Sequence, residues 1–142
     1  MRPLVTLLFV FFIAPAFAVD STCTLTDQHW LSKELPRLKI WEAIHESFRK
    51  YAPQCDDGFI AEGYTDAVVV LLTHHWSSLS ELAAIVKRDP KFLEFVVRHI
   101  NASADPDDLK QLLSHATNQC PPENKAICVP IHSATNVAIK EL

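Results

Sequence analysis

Glu62 and Asp66 stand four residues apart within the stretch 59–76, FIAEGYTDAVVVLLTHHW. On a helix that spacing puts both carboxylates on one face, with Thr73 further along it. Two carboxylates in one place can divide acid and base work when burial or mutual repulsion lifts one pKa, which is hydrolase chemistry. The plainer role is a solvated stripe on an otherwise buried helix, complementing the positive end of its dipole. Asp56 and Asp57, just upstream, make the whole corner acidic. That suits a basic partner as well as it suits catalysis.

Seven histidines are present, yet none stand at the i, i+3 or i, i+4 spacing that aims two ligands from one helical face, and there is no H-E-x-x-H. His99 falls on the side of its helix that carries Phe92 and Phe95. It is expected to be a hydrogen-bonded core residue. A metal held between distant helices, for example by His75 or His99 with Glu62 or Asp66, is the lesser alternative, so neither a metal nor a cofactor is expected. There is no G-x-S-x-G nucleophile turn, and no residue is assigned as catalytic. The candidate binding residues are therefore Asp56, Asp57, Glu62, Asp66 and His99. Asn101-Ala-Ser103 is a glycosylation sequon, meaningful in a eukaryotic secretory pathway.

What positions these residues begins with the leader. Residues 1–18, MRPLVTLLFVFFIAPAFA, carry one basic residue, an apolar run and a small-residue end, the layout of a secretory leader cleaved after Ala18. The run 4–17 is 14 residues, short of the roughly 20 that a spanning helix needs. An exported product, periplasmic or extracellular and not integral to the membrane, is expected. The remaining 124 residues (142 less 18) form a single helical domain, 19–142, and loss of Arg2 takes the net charge from -4 to -5. An acidic chain without a basic run argues against nucleic acid as a partner. Only two glycines, Gly58 and Gly63, leave little material for phosphate loops or tight hairpins.

Four cysteines remain, Cys23, Cys55, Cys120 and Cys128. In an exported chain an even number reads as two disulfides, with free or metal-bound thiols the minor alternative. Of three possible pairings, Cys23 with Cys55 and Cys120 with Cys128 are favoured, tying the amino-terminal segment to the central helix and closing a short loop.

The fold class is all-α: about six short helices in a compact array around a central buried helix, 59–76. Residues 19–35 are a short helix or irregular arm anchored by Trp30. Pro36 opens a helix over 36–51, with Leu38, Trp41, Ile44, His45, Phe48 and Tyr51 on one face; Pro53 ends it. Val68 to Leu72 read as helix, with a buried strand as the alternative. Gly63 costs about 1 kcal/mol against alanine there and lets a neighbouring backbone approach. Ser78 and Glu81 form a capping-box pattern for 79–88. Asp89-Pro90 and Asp105-Pro106 start two further helices with Asp as cap. Those two share Leu at +4, branched aliphatics at +7 and +8 and His at +10 from the Asp. Pro130 kinks or divides a last helix after Pro121 and Pro122.

Three function classes follow. First is a non-enzymatic module that binds another protein through its acidic loops and helix ends. In size, leader, helix content and disulfides the chain resembles periplasmic immunity proteins that neutralise cell-wall-degrading toxins. Second is a carrier of a small apolar ligand between helices, as in insect odorant-binding proteins, whose cysteine pattern the spacing x31, x64, x7 does not reproduce. Third is a hydrolase using Glu62 and Asp66.

Overall fold

The computed structural model describes residues 22–142; the leader and its cleavage after Ala18 lie outside the described residues. Seven α-helices, and no strand, make up the described residues: α1 (Leu25–Glu34), α2 (Trp41–Cys55), α3 (Gly58–His74), α4 (Leu79–Arg88), α5 (Lys91–Arg98), α6 (Pro106–Asn118) and α7 (Lys125–Lys140). The all-α reading holds and the strand alternative for 68–72 falls. Both disulfides pair as favoured, Cys23 with Cys55 and Cys120 with Cys128.

α3 is the spine. Val68, Val69, Leu71 and Leu72 together span about 160° of the helix circumference, and all four are buried. Each such side chain contributes about 1.5–3 kcal/mol on leaving water, which far outweighs the cost of Gly63. α2 and the 3-10 turn Leu35–Arg37 pack on α3 from the first half of the chain and α6 from the second, while α6 and α7 form the most extensive helix pair. At Gly63 a Cβ would stand 2.6 Å from Leu35 Cδ1. The glycine thus admits a side chain from the 3-10 turn, where a backbone neighbour was expected. Among the described residues no single helix is long and apolar enough to cross a membrane.

The chain departs from expectation where a local signal meets a stronger partner elsewhere. Pro36 sits in the 3-10 turn, and α2 starts only at Trp41, because Leu35 and Leu38 turn inward and the backbone is extended at Ile40. Pro53 does not end α2, which runs on to Cys55. A proline this close to a C-terminus disturbs only the last turn, and the Gln54 side chain donates to the Lys50 carbonyl nearby. Ser78 caps nothing: its hydroxyl donates to the His75 carbonyl at 2.7 Å and accepts from Trp41 Nε1 at 2.9 Å. Asp89 ends α4 and takes a hydrogen bond from His45, so α5 begins without a side-chain cap. Asp105 caps α6 as expected, accepting from the amides of Asp107 and Asp108. Pro130 lies inside α7 without dividing it. In the first helix, α1, Thr24 and Asp27 form a reciprocal capping box, and the buried anchor is Leu31, not Trp30.

Candidate functional site

Two of the five candidate residues meet. Asp56 follows α2 and His99 ends α5, and the fold brings His99 Nε2 between the carboxylate oxygens of Asp56, 3.1 Å from Oδ1 and, better aligned, 3.3 Å from Oδ2. Arg98 closes over the same carboxylate from solvent. On its other side His99 Nδ1 is 3.2 Å from Thr65 Oγ1, which also accepts from Asn101 Nδ2 at 3.2 Å. With the amide donating in, the Thr65 hydroxyl is free to donate to Nδ1, leaving the imidazole proton on Nε2 facing Asp56. That assignment gives every hydrogen of the chain an acceptor. Burial pushes the Asp56 carboxyl up, but the His99 N–H and the Arg98 guanidinium outweigh it and hold the group below the usual carboxylate range.

Carboxylate, imidazole and hydroxyl in series is the connectivity of an acyl-transfer triad. Here the hydroxyl faces inward: Thr65 and His99 are each only 2 % exposed, and His99 is packed against Tyr64 and Phe95 at centroid distances of 5.5 and 4.4 Å. No substrate reaches it. The series instead locks the corner between α2 and α3 to the end of α5. Asn101 completes the lock: its amide also donates to the Arg98 carbonyl, and its oxygen accepts from the Ser103 amide and hydroxyl.

The other three candidates are at the surface. Asp57 caps α3, its Oδ1 accepting from the Gly58 amide at 2.7 Å, where Gly58 takes φ 52°. Glu62 and Asp66 are exposed on α3, and their side chains hydrogen-bond to no other described residue. Asp66 borders a shallow depression of about 220 Å³ with Lys39 and His75; Glu62 stands outside it. Among the described residues no three His, Cys, Asp or Glu side chains converge as a metal site would need.

A feature the sequence reading missed lies between α1 and α2. α1 is polar on nearly every side and buries only Leu31, so Trp30 is left 54 % exposed. With Tyr51 it borders an open groove of about 650 Å³, floored by Leu38 and Ser47 and rimmed by Glu34, Arg37, Glu46 and Lys50. Each ring already carries a cation: Lys33 Nζ stands 5.7 Å from the Trp30 centroid and Lys50 Nζ 4.7 Å from that of Tyr51. Ser47 is fixed from beneath by the Tyr64 hydroxyl at 2.7 Å. Across the outer face of α2 a second open hollow, of about 780 Å³, shares Glu46 and Lys50 and holds His45 with Asp89 and Arg88 with Glu42, both pairs at 3.0 Å. The signal was available in the sequence: Leu31 and Leu35 share a face at i, i+4, and Trp30 is off it.

Exposed ion pairs are worth about 0–1 kcal/mol each, so the rim charges add little to stability. Aromatic rings such as Trp30 and Tyr51 favour aliphatic and cationic side chains laid on their faces. No protein-family model, curated protein or solved structure matches this chain.

Proposed function

We propose that this is an exported, non-enzymatic protein-binding module that receives a segment of a partner protein in the groove between α1 and α2. The observation that carries the reading is Trp30: a large aromatic side chain held half out of water beside Tyr51, on a helix pinned at its start by the Cys23–Cys55 bridge. Exposed tryptophan and tyrosine over a rigid floor are the usual anchors of protein interfaces. Two disulfides fit an oxidising compartment, and the leader reading supplies the route to it. The segment best suited to this groove is basic with aliphatic stems, replacing Lys33 and Lys50 over the rings and pairing with Glu34 and Glu46.

The alternatives have less support. A carrier needs an enclosed apolar cavity, whereas the groove is open and rimmed by charge. A hydrolase needs its two carboxylates in one cleft, whereas Glu62 and Asp66 are exposed and the depression that Asp66 borders does not include Glu62.

The test is affinity capture from the protein's own exported fraction with the wild-type chain and with Trp30→Ala and Tyr51→Ala. The reading requires a protein retained by the wild type and lost with either variant while the circular dichroism is unchanged. Equal retention by all three, or none by the wild type, overturns it.

A further inference from the structure

Asn101 opens the one Asn-x-Ser sequon in the chain, and the fold spends its whole side chain. The two amide hydrogens go to Thr65 Oγ1 and to the Arg98 carbonyl, each 3.2 Å away. The side-chain oxygen accepts from the Ser103 amide at 3.0 Å and from the Ser103 hydroxyl at 2.6 Å. An asparagine side chain has two donor hydrogens and two acceptor lone pairs, so none is left over. The Ser103 hydroxyl, which the sequon also requires, is committed to the same contact.

Glycosylation is a substitution at the amide nitrogen. The bond from that nitrogen to the sugar C1 forms, the C1–oxygen bond to a lipid pyrophosphate breaks with its electron pair leaving on the pyrophosphate, and the amide gives up one proton. A C–N single bond is about 1.45 Å long, so a sugar carbon set along either hydrogen bond would stand about 2 Å from an acceptor oxygen, far inside contact distance. Thr65 has no room to retreat, being 2 % exposed and bonded to His99 Nδ1. The Arg98 carbonyl belongs to the last residue of α5 and yields only if that end unwinds.

We propose that the glycan and the native fold exclude each other at Asn101: the unfolded chain is a substrate for oligosaccharyltransferase there, the folded chain is not, and a chain already carrying the sugar cannot close the Asp56–His99–Thr65 series. The exclusion reaches the series because the Asn101 amide donates into Thr65, which frees the Thr65 hydroxyl to donate to His99. Turning the side chain outward to make room for a sugar strips Thr65 of that donor and releases the end of α5 from α3. In a secretory pathway that holds the enzyme, the order of events decides the product. If α5 docks first, the sequon is shut; if the sugar comes first, the lock stays open. None of this involves the α1–α2 groove, and it stands or falls apart from the partner-binding reading.

Purified oligosaccharyltransferase with a lipid-pyrophosphate-linked oligosaccharide tests this on the exported protein, oxidised in one arm and reduced and unfolded in the other. The reduced chain should take up sugar at Asn101 at least about 10-fold faster than the oxidised one, and Ser103→Ala should take up none. After reoxidation, trypsin should cut the glycosylated chain about 10-fold faster than its bare companion. His75→Asn with Ser77→Thr, added to Ser103→Ala, moves the sequon to two exposed positions, and sugar there should leave trypsin resistance unchanged. A second measurement needs no glycan. Asn101→Asp keeps both acceptors and loses both donors, and should lower the folding equilibrium constant about 10-fold in urea unfolding. Equal uptake in the two arms overturns the proposal, as does a reduced chain that takes no sugar. So does a glycosylated chain as resistant as the bare one, a glycan at position 75 that does equal damage, or an Asn101→Asp chain as stable as the wild type.

Discussion

The segments that begin at Asp89 and Asp105 have the same spacing of Asp, Pro, Leu, aliphatic pair and His, yet the fold uses them in opposite ways. Asp105 caps its own helix, and α6 runs 13 residues. Asp89 is drawn away to His45, and α5 runs only 8. The histidines differ more. His99 ends its helix and is held on both ring nitrogens, by Asp56 and Thr65. His115 sits inside α6, stacked on Trp76 at 5.5 Å; its Nε2 is 3.0 Å from the Thr73 carbonyl, and its buried Nδ1 has no partner. Equal position in a pattern therefore says nothing about equal weight. The weight comes from what another element brings to the same point.

The sharpest break in that comparison is a matched pair of substitutions. His99→Leu strands the buried Asp56 carboxylate without its imidazole donor and leaves Thr65 without its acceptor. Breaking a buried, hydrogen-bonded pair in this way costs about 3 kcal/mol. His115→Leu removes one hydrogen bond and one aromatic stack, and should cost about 1 kcal/mol. Urea unfolding monitored by circular dichroism reads both; equal losses would show that the Asp56 contact is not what separates the two sites.

A second, smaller effect separates the segments by pH. The folded carboxyl of Asp56 lies below its ordinary value. Its contribution is therefore complete above the unfolded value near pH 4 and lost as pH falls through the lower, folded one. Asp107, held low by the Lys110 ammonium on the surface of α6, is also shifted down, but its pair is fully exposed and screened. Asp56→Asn should flatten the acid limb of a stability profile below about pH 4, while Asp107→Asn should leave its shape unchanged. An acid limb that persists in Asp56→Asn would place the titrating group elsewhere.

How much of this was legible follows the same division. The buried faces of α2 to α6 and the Asp105 cap come from periodicity and local chemistry, and these were readable. Cys23 with Cys55 followed from where an arm could be tied down. The failures are sites where a side chain had a better offer from a distant element. Ser78 has the spacing of a capping box, but the Trp41 indole, brought in from α2, engages its hydroxyl and leaves it donating back to the His75 carbonyl. Trp30 looked like an anchor because it is large, and only the face shared by Leu31 and Leu35 shows that it points outward. Asp56 and His99 were both singled out, but their meeting across 43 residues depends on tertiary packing that no local pattern encodes.

Tyr64 extends the contrast to alkaline pH. Burial pushes its phenol up to about 12, so its stabilising contribution is intact below the unfolded value near pH 10 and falls away between there and about pH 12. Tyr64→Phe should remove that alkaline dependence. It also strips Ser47 of its buried partner, for a loss of about 1 kcal/mol at neutral pH. The phenolate absorbance of the folded protein gives an independent reading: the component that titrates near pH 12 should be present in the wild type and absent from Tyr64→Phe, and its persistence in the variant would show that it does not belong to Tyr64.

The smallest effect falls on the two aspartates with which the segments begin. Asp105 accepts from two amides at the start of α6, so Asp105→Ala removes a cap worth about 1 kcal/mol. Asp89 caps no helix, and Asp89→Ala costs only its pairing with His45. Because that imidazole is itself buried between Phe48 and Phe92, the loss from Asp89→Ala should vanish once His45 is replaced, whereas the loss of the Asp105 cap should not. Thermal melts of Asp89→Ala and Asp105→Ala, each alone and combined with His45→Phe, decide it: an Asp89→Ala cost that persists beside His45→Phe would mean that Asp89, like Asp105, acts on the backbone and not through His45.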